Sequence, residues 1–276
     1  MIEQGTYSNL SNDDYHADKQ SISRSGLMDF DKSPYHYWAK HINPDRPVNE
    51  PTPAMILGSA AHTLILEPEK WGDFYAVMPE KKLLKDVGRE EYDANQDRIE
   101  AVKQNLGKKT ILSFNDYMTL RGMKAAFEVN LNAVGLLHET EIEKSFFWRC
   151  PISGLMLKCR PDFLSRNYIG DLKTCADASP RAFQNAIATG AYHVQGAMIR
   201  AAVDQLEGRR IDNVIFIAIE TKYPYAMGIY VLDEYALEAG HKKYQELAVS
   251  LAQAMIDNRW EDYGTQTISL PKWAVG

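Results

Sequence analysis

Residues 142–174 limit the fold of this chain more than any other stretch. Residues 142–149 are aromatic and alternating, Pro151-Ile152-Ser153-Gly154 reads as a tight turn, and residues 155–164 alternate again. A second turn, Ser165-Arg166-Asn167, leads into a third strand-like segment, 168–174. Period-two patterning interrupted by turn residues predicts an antiparallel meander. Helical patterns flank it. Ser23 caps a helix through Phe30, and Ser33-Pro34 opens another through Ala39. Pro44, Pro47, Pro51 and Pro53 mark an extended connector. Residues 54–66 read as a helix that is apolar nearly all round and therefore buried. A weak helix is expected over 90–105, and Asn115 is expected to cap a helix over 116–131. Beyond the meander, Ser179-Pro180 opens a helix to Thr189, Gly190 breaks it, and a second helix runs to Leu206. Two more strands, 214–219 and 226–232, precede a long amphipathic helix over 234–258. The order predicts an α/β (α+β) fold, a sheet layered with helices.

Composition sets the outer bounds. The 276 residues suit one domain, here an N-terminal helical and extended segment over 1–53 with a core over 54–260. The longest apolar runs, such as 214–219, fall far short of the ~20 residues of a membrane span. With no secretory pattern at Met1-Ile2-Glu3-Gln4, a soluble, cytoplasmic protein is expected. The net charge of −6 does not suggest a nucleic-acid partner, although a locally basic groove on an acidic body can still bind one. Three cysteines, Cys150, Cys159 and Cys175, are too few for the usual four-thiolate iron–sulfur cluster and show no paired zinc spacing. Gly107-Lys108-Lys109-Thr110 lacks the upstream glycine of a phosphate-binding loop, so no ATP site is expected.

The chemistry is concentrated in Arg160-Pro161-Asp162 and Asp171-Leu172-Lys173. At period two, Leu155, Leu157, Cys159 and Phe163 share one face of the second strand, and Lys158, Arg160 and Asp162 share the other. Asp171 and Lys173 likewise share a face, so neighbouring strands would bring Asp162, Asp171 and Lys173 together. Two carboxylates hold Mg²⁺ well, the cation polarises a phosphoryl oxygen, and a lysine beside it orients water and offsets developing charge. Glu143, on the preceding strand, is a further acidic residue left outside this set.

Pro161-Asp162 with Asp171-Leu172-Lys173 resembles the PD-(D/E)xK signature of restriction-endonuclease-like nucleases, whose central mixed sheet is flanked by helices. Gly58-Ser59-Ala60-Ala61-His62 upstream, and Tyr192-His193-Val194-Gln195 about twenty residues after the D-x-K strand, resemble the RecB-like branch. The segments Ser21-Ile22-Ser23, Ser33-Pro34-Tyr35 and 220–225 resemble the nuclease domain of RecE-type exonucleases (exodeoxyribonuclease VIII). The resemblance implies Asp162, Asp171, the Leu172 carbonyl and His62 as metal ligands, with Mg²⁺ as the cation and Mn²⁺ the alternative favoured by an imidazole. It implies Lys173 as the residue that positions water, and Gln195 and Tyr192 as further catalytic members. Tyr192 packing in the core is an equal alternative, and His193 reads as plain helix surface. Arg160 is a candidate for DNA phosphate, with a salt bridge to a nearby carboxylate equally open.

The activity implied is ATP-independent 5′→3′ digestion of linear double-stranded DNA from its ends. This leaves 3′ single strands for recombination by a separately encoded, RecT-like annealing protein. A homo-oligomeric ring is expected, its acidic surplus on the outside. The rival readings are a Cas4- or AddB-like nuclease without its iron–sulfur cluster, and a non-catalytic DNA-binding module on a nuclease fold.

Overall fold

A computed structural model describes residues 2–47, 50–271 and 274. The N-terminal third runs β1 (Gly5–Tyr7), α1 (Asn12–Ala17), α2 (Arg24–Lys32) and α3 (Pro34–Tyr37), the last continuing as a π-helical turn, Trp38–Ile42. Next come α4 (Pro53–Leu66), α5 (Trp71–Phe74), β2 (Tyr75–Val77), α6 (Arg89–Gln104), β3 (Thr110–Leu112), α7 (Phe114–Val129) and α8 (Leu131–Gly135). The sheet-forming part follows with β4 (Glu141–Ile142), β5 (Ser145–Arg149), β6 (Met156–Cys159), β7 (Phe163–Leu164) and β8 (Tyr168–Cys175). The chain ends with α9 (Pro180–Thr189), α10 (Tyr192–Glu207), β9 (Asn213–Glu220), β10 (Met227–Val231) and α11 (Glu234–Asp257).

The central sheet has the order β10-β9-β8-β7-β4 and is mixed, because β8 and β9 run parallel while the other pairs are antiparallel. A smaller sheet, β1-β5-β6, stands beside it, and β2 pairs with β3. Helices cover both faces of the central sheet. Val214, Phe216 and Ala218 of β9 pack with Phe183, Ala197, Val203 and Leu251 from α9, α10 and α11, a core that also takes in Leu27 and Phe30 of α2. Ile217 and Ile219 pack the other way, with Ala60, Ala61, Leu120 and Met123 from α4 and α7. A strand buried on both faces reads as an unbroken apolar run, which is why 214–219 carries no alternation.

The meander differs from its sequence reading in one respect. The segment 155–164 is not one strand, and neither is 142–149: each breaks in the middle, giving β6 and β7 in different sheets, and β4 and β5 likewise. The register nevertheless runs straight through. Ile142 pairs with Phe163, and four residues further on in one strand and four back in the other, Phe146 pairs with Cys159. The two breaks therefore form one bend in a single long hairpin, which passes from the central sheet into the smaller one. Pro161 supplies the cause on one side, having no N–H for the ladder. Glu143 supplies it on the other, with a left-handed φ of 54°. The period-two faces expected for 155–164 do not survive the bend, and Leu157, Lys158 and Cys159 are all buried.

Three local readings are also corrected. Ser113, not Asn115, caps α7: its Oγ accepts from Asp116 N (3.0 Å) while its hydroxyl donates to the Asp116 carboxylate (2.6 Å). Asn130 ends that helix early because its side chain caps α8 instead. The apolar helix α4 is only partly buried, with Met55 61 % exposed, while Ala60, Ala61 and Ile65 reach the core. Among the described residues, no helix is long and apolar enough to cross a membrane.

Candidate active site

The bend and β8 together assemble the site. Beyond Gly170 no ladder bond from β7 reaches β8, because β7 ends in the bend. The Asp162 side chain fills the gap, its Oδ2 accepting from Leu172 N at 2.5 Å. In a strand the N–H and C=O of one residue point to the same edge, so the Leu172 carbonyl faces this gap as well. Gly170 is needed beside it, because the Phe163 ring lies where a Cβ would project. Carrying the register one residue past each pair sets Glu143 opposite Asp162, and Asp162 opposite Asp171. Glu143 N also donates to Asp162 O (3.0 Å). Three carboxylates thus stand in a row across three adjacent strands.

Two groups of side chains flank that row. On one side α4 brings in His62, whose Nδ1 is 3.2 Å from Asp162 Oδ2. Ligand atoms of His62, Glu143 and Asp162 all lie within 4.8 Å of one another. On the other side α10 brings in Gln195, whose Nε2 donates to Asp171 Oδ2, and Lys173 ion-pairs with Asp171 Oδ1. The Lys173 ammonium lies 4.8 Å from the centre of the Tyr192 ring, which stacks on Phe216. The Tyr192 ring thus forms a packed floor under Lys173.

The electrostatics follow from burying these charges together. Burial alone would raise the Asp162 carboxyl, but the His62 charge and hydrogen bond, with Lys173 and the Leu172 N–H, hold it below the usual carboxylate range. Burial and then the charge of Asp162 push Asp171 up, against the pull of Lys173. The same two causes push Glu143 up to about 8, against Arg160 and His62. Burial would lower His62, yet Asp162 holds it at about 9. Burial would also lower Lys173, but Asp171 and Asp162 keep it raised and protonated.

Arg160 lies in the bend, and its guanidinium turns toward the N-terminal segment. It donates to Ser145 Oγ (2.7 Å) and Leu10 O (3.0 Å), lies 4.2 Å from the Tyr15 ring centre, and is 3.7 Å from Glu143 Oε2. The contact with Glu143 is the salt bridge that the sequence left open beside a DNA-phosphate role. His193 Nδ1 meets Ile187 O (3.2 Å), a helix-surface contact. Cys150 and Cys159 are buried in the main core and Cys175 is half-buried; all three are free thiols.

A divalent cation fits the residues present. Carboxylate oxygens converge with one imidazole, and Asp171 Oδ1 is buried without a hydrogen-bond donor in good geometry, though it ion-pairs with Lys173. Glu143 is the member that sequence reasoning left out. The signal for it was present, since it stands opposite Asp162 once the hairpin register is drawn.

A mixed sheet between helix layers, with Pro-Asp at a strand break and Asp-x-Lys on the adjoining strand, defines a restriction-endonuclease-like fold of the PD-(D/E)xK class. The chain belongs to the family described as PDDEXK-like domain of unknown function (DUF3799), whose model matches residues 23–268. Among solved structures it resembles a "Putative exonuclease" from Eubacterium rectale, at 13 % identity and a TM-score of 0.62, over 95 % of this chain and 96 % of that one. It also matches the crystal structure of SSO0001, at 18 % identity over 63 % of this chain and 71 % of that one, with a TM-score of 0.29. No curated protein matches the sequence.

Proposed function

We propose that the protein is a Mg²⁺-dependent, ATP-independent exonuclease that digests linear double-stranded DNA from its ends. The observation that carries this reading is the meeting of Asp162, Asp171 and Lys173 with His62 from a separate helix. The aspartates, the Leu172 carbonyl and His62 would hold the cation, which would supply Lewis acidity toward a phosphoryl oxygen and toward water beside it. Lys173 stays protonated, so its Nζ donates hydrogen bonds to the attacking water or to a phosphoryl oxygen and offsets charge as it builds. Gln195 holds Asp171 in place through its amide, and the Tyr192 ring keeps the ammonium from swinging away.

The RecE-type details are the 5′→3′ polarity, the 3′ overhangs passed to a single-strand annealing protein, and a ring of identical subunits. They rest on the sequence resemblance and form part of the proposal. That the Eubacterium rectale protein is described as an exonuclease supports the reading of an end-directed enzyme. The Cas4- or AddB-like alternative keeps its cluster-free form, because two of the three cysteines are packed in the core. The test is end-labelled linear duplex beside a relaxed closed circle, in Mg²⁺ without ATP. Rapid loss of the linear form from its 5′ ends, abolished by EDTA, is the expected result. Equal cutting of the circle overturns the exonuclease reading, and no cutting of either leaves a non-catalytic binding module. Light scattering that finds a 31 kDa monomer at micromolar concentration removes the ring.

A further inference from the structure

The two edges of the central sheet are protected very differently. At one edge β4 is only two residues long and carries Glu141. At the other, β10 pairs with β9 over five residues without a bulge, and its sequence, Met227-Gly228-Ile229-Tyr230-Val231, holds no charge and no proline. Natural sheets blunt a free edge with charges, prolines, bulges or very short strands, because unpaired N–H and C=O groups accept a strand from another chain. β10 has none of these devices. Its free groups follow from the ladder. Glu220 N donates to Ala226 O and Leu232 N to Val214 O, so the even-numbered residues along this strand bond to β9. Bonding residues alternate in an antiparallel pair, so the N–H and C=O of Met227, Ile229 and Val231 point away from the sheet. Among the described residues nothing bonds to them. Exposed apolar side chains surround the same edge: Tyr223 is 87 %, Val231 56 % and Tyr235 81 % exposed. Aromatic side chains standing in water around an open edge mark a surface that another protein covers.

We infer that the free edge of β10 pairs antiparallel with β10 of a second copy of this chain, about a two-fold axis at Ile229. The occupant follows from self-complementarity. With Ile229 opposite Ile229 of the second copy, Met227 falls opposite Val231 and Val231 opposite Met227, so every outward residue exchanges both of its backbone bonds. Their side chains share one face of the sheet, on which Met227 and Ile229 already pack with the α4 and α7 core, and the exposed Val231 gains an apolar neighbour. Continuing the count past the strand ends sets Tyr223 of each copy toward Tyr235 of the other. The charges agree. Lys222 stands at one end of β10, and Asp233 and Glu234 stand at the other. Antiparallel pairing brings these unlike charges together at both ends, whereas parallel pairing would set like beside like. The central sheets of the two copies thereby join into one. The inference goes beyond the nuclease reading and does not depend on the site. A two-fold contact closes at two copies, so it gives dimers, or ties rings together in pairs.

The test is light scattering of the full chain from micromolar concentration upward. The expected mass is twice the 31.3 kDa of one chain, or a larger even multiple of it. Val231→Pro leaves the β9 ladder intact, because the N–H it removes points outward, and deletes a bond to the second copy. Val231→Lys places a charge on the same exposed edge. Both are expected to halve the mass, with the circular dichroism of the wild type, while Val231→Thr keeps the mass. Ile229→Cys sits on the axis, where the Cα atoms of a bonded pair are ~5.5 Å apart and within reach of a disulfide. Mild oxidation should join two chains of this variant. The wild type should stay unjoined, since its Cys150 and Cys159 are buried and Cys175 half-buried. A wild type that remains monomeric overturns the inference. So does an oligomer that keeps its full mass in both Val231→Pro and Val231→Lys; the ring then survives on another surface. If the mass is halved but Ile229→Cys forms no link between chains, the edge takes a different segment and the two-fold pairing is wrong. Digestion of linear duplex is followed in parallel. A dimer that splits as expected yet cuts no DNA supports the pairing while the nuclease reading fails.

Discussion

Glu143 and Asp162 stand where two strands unwind together, whereas Asp171 and Lys173 stand in the middle of an unbroken one. The two halves of the site are built by opposite means. Asp171 and Lys173 get their common face from the two-residue period of β8, and their partners Tyr192 and Gln195 come from the next helix but one. Glu143, Asp162 and His62 come from three separate places in the chain and meet only because a hairpin bends between two sheets. Regular structure thus aims the lysine, and a local failure of regular structure opens the space beside it. Asp162 belongs to both halves. Its carboxylate stands in for the ladder partner that β8 loses at the bend, so it holds the fold and the site at once.

That double role gives the largest expected effect. Asp162→Ala should cut nuclease activity more than about 100-fold. It should also lower stability by ~3 kcal/mol in a metal-free melt, because a buried pair with His62 is broken and the Leu172 N–H is orphaned. Lys173→Ala should cost as much activity, yet hold Mn²⁺ nearly as well as wild type when EDTA-treated protein is titrated with the ion. Equal loss of metal in both variants would erase the distinction between the halves.

The bend half should titrate. His62 is raised from 6.5 to about 9 in the folded protein, so its contribution to stability is full below pH ~6.5 and is lost as pH rises through about 9. Glu143, raised to about 8, acts in the same direction. EDTA-treated protein should therefore lose about 1–3 kcal/mol between pH 6.5 and 9. Thermal melts of His62→Asn over the same range should be flatter; a slope equal to wild type would assign the effect elsewhere.

Two smaller effects probe the straight half. Gln195→Ala removes the amide that holds Asp171, and should slow cleavage about 10–100-fold, with a melting temperature close to wild type. Tyr192→Phe keeps the ring under Lys173 and should change the rate less than about threefold, whereas Tyr192→Ala should lower it clearly. A large loss in Tyr192→Phe would mean that the hydroxyl, not the ring, does the chemistry.

The sequence by itself determined most of the local structure. Ser23 and Ser33 cap the helices that their positions announce, and the apolar run of β9 marks a strand buried on both faces. The two-residue period placed Asp171 and Lys173 on one face, because a strand's side chains alternate whatever surrounds them. Tertiary structure alone decided the rest. Alternation alone did not show the bend in residues 155–164, because it looks the same whether a strand stays in one sheet or crosses to another; Pro161 was its one local sign. Arg160 was turned toward Leu10 and Tyr15 by an N-terminal segment some 150 residues away in sequence. His62 reached Asp162 because α4 packs on the face of β8 that carries Leu172. Glu143 was in plain view and went unassigned for the same reason: parity gives a residue its face within one strand, while the register between strands gives it its neighbours, and register is fixed by packing over the whole sheet.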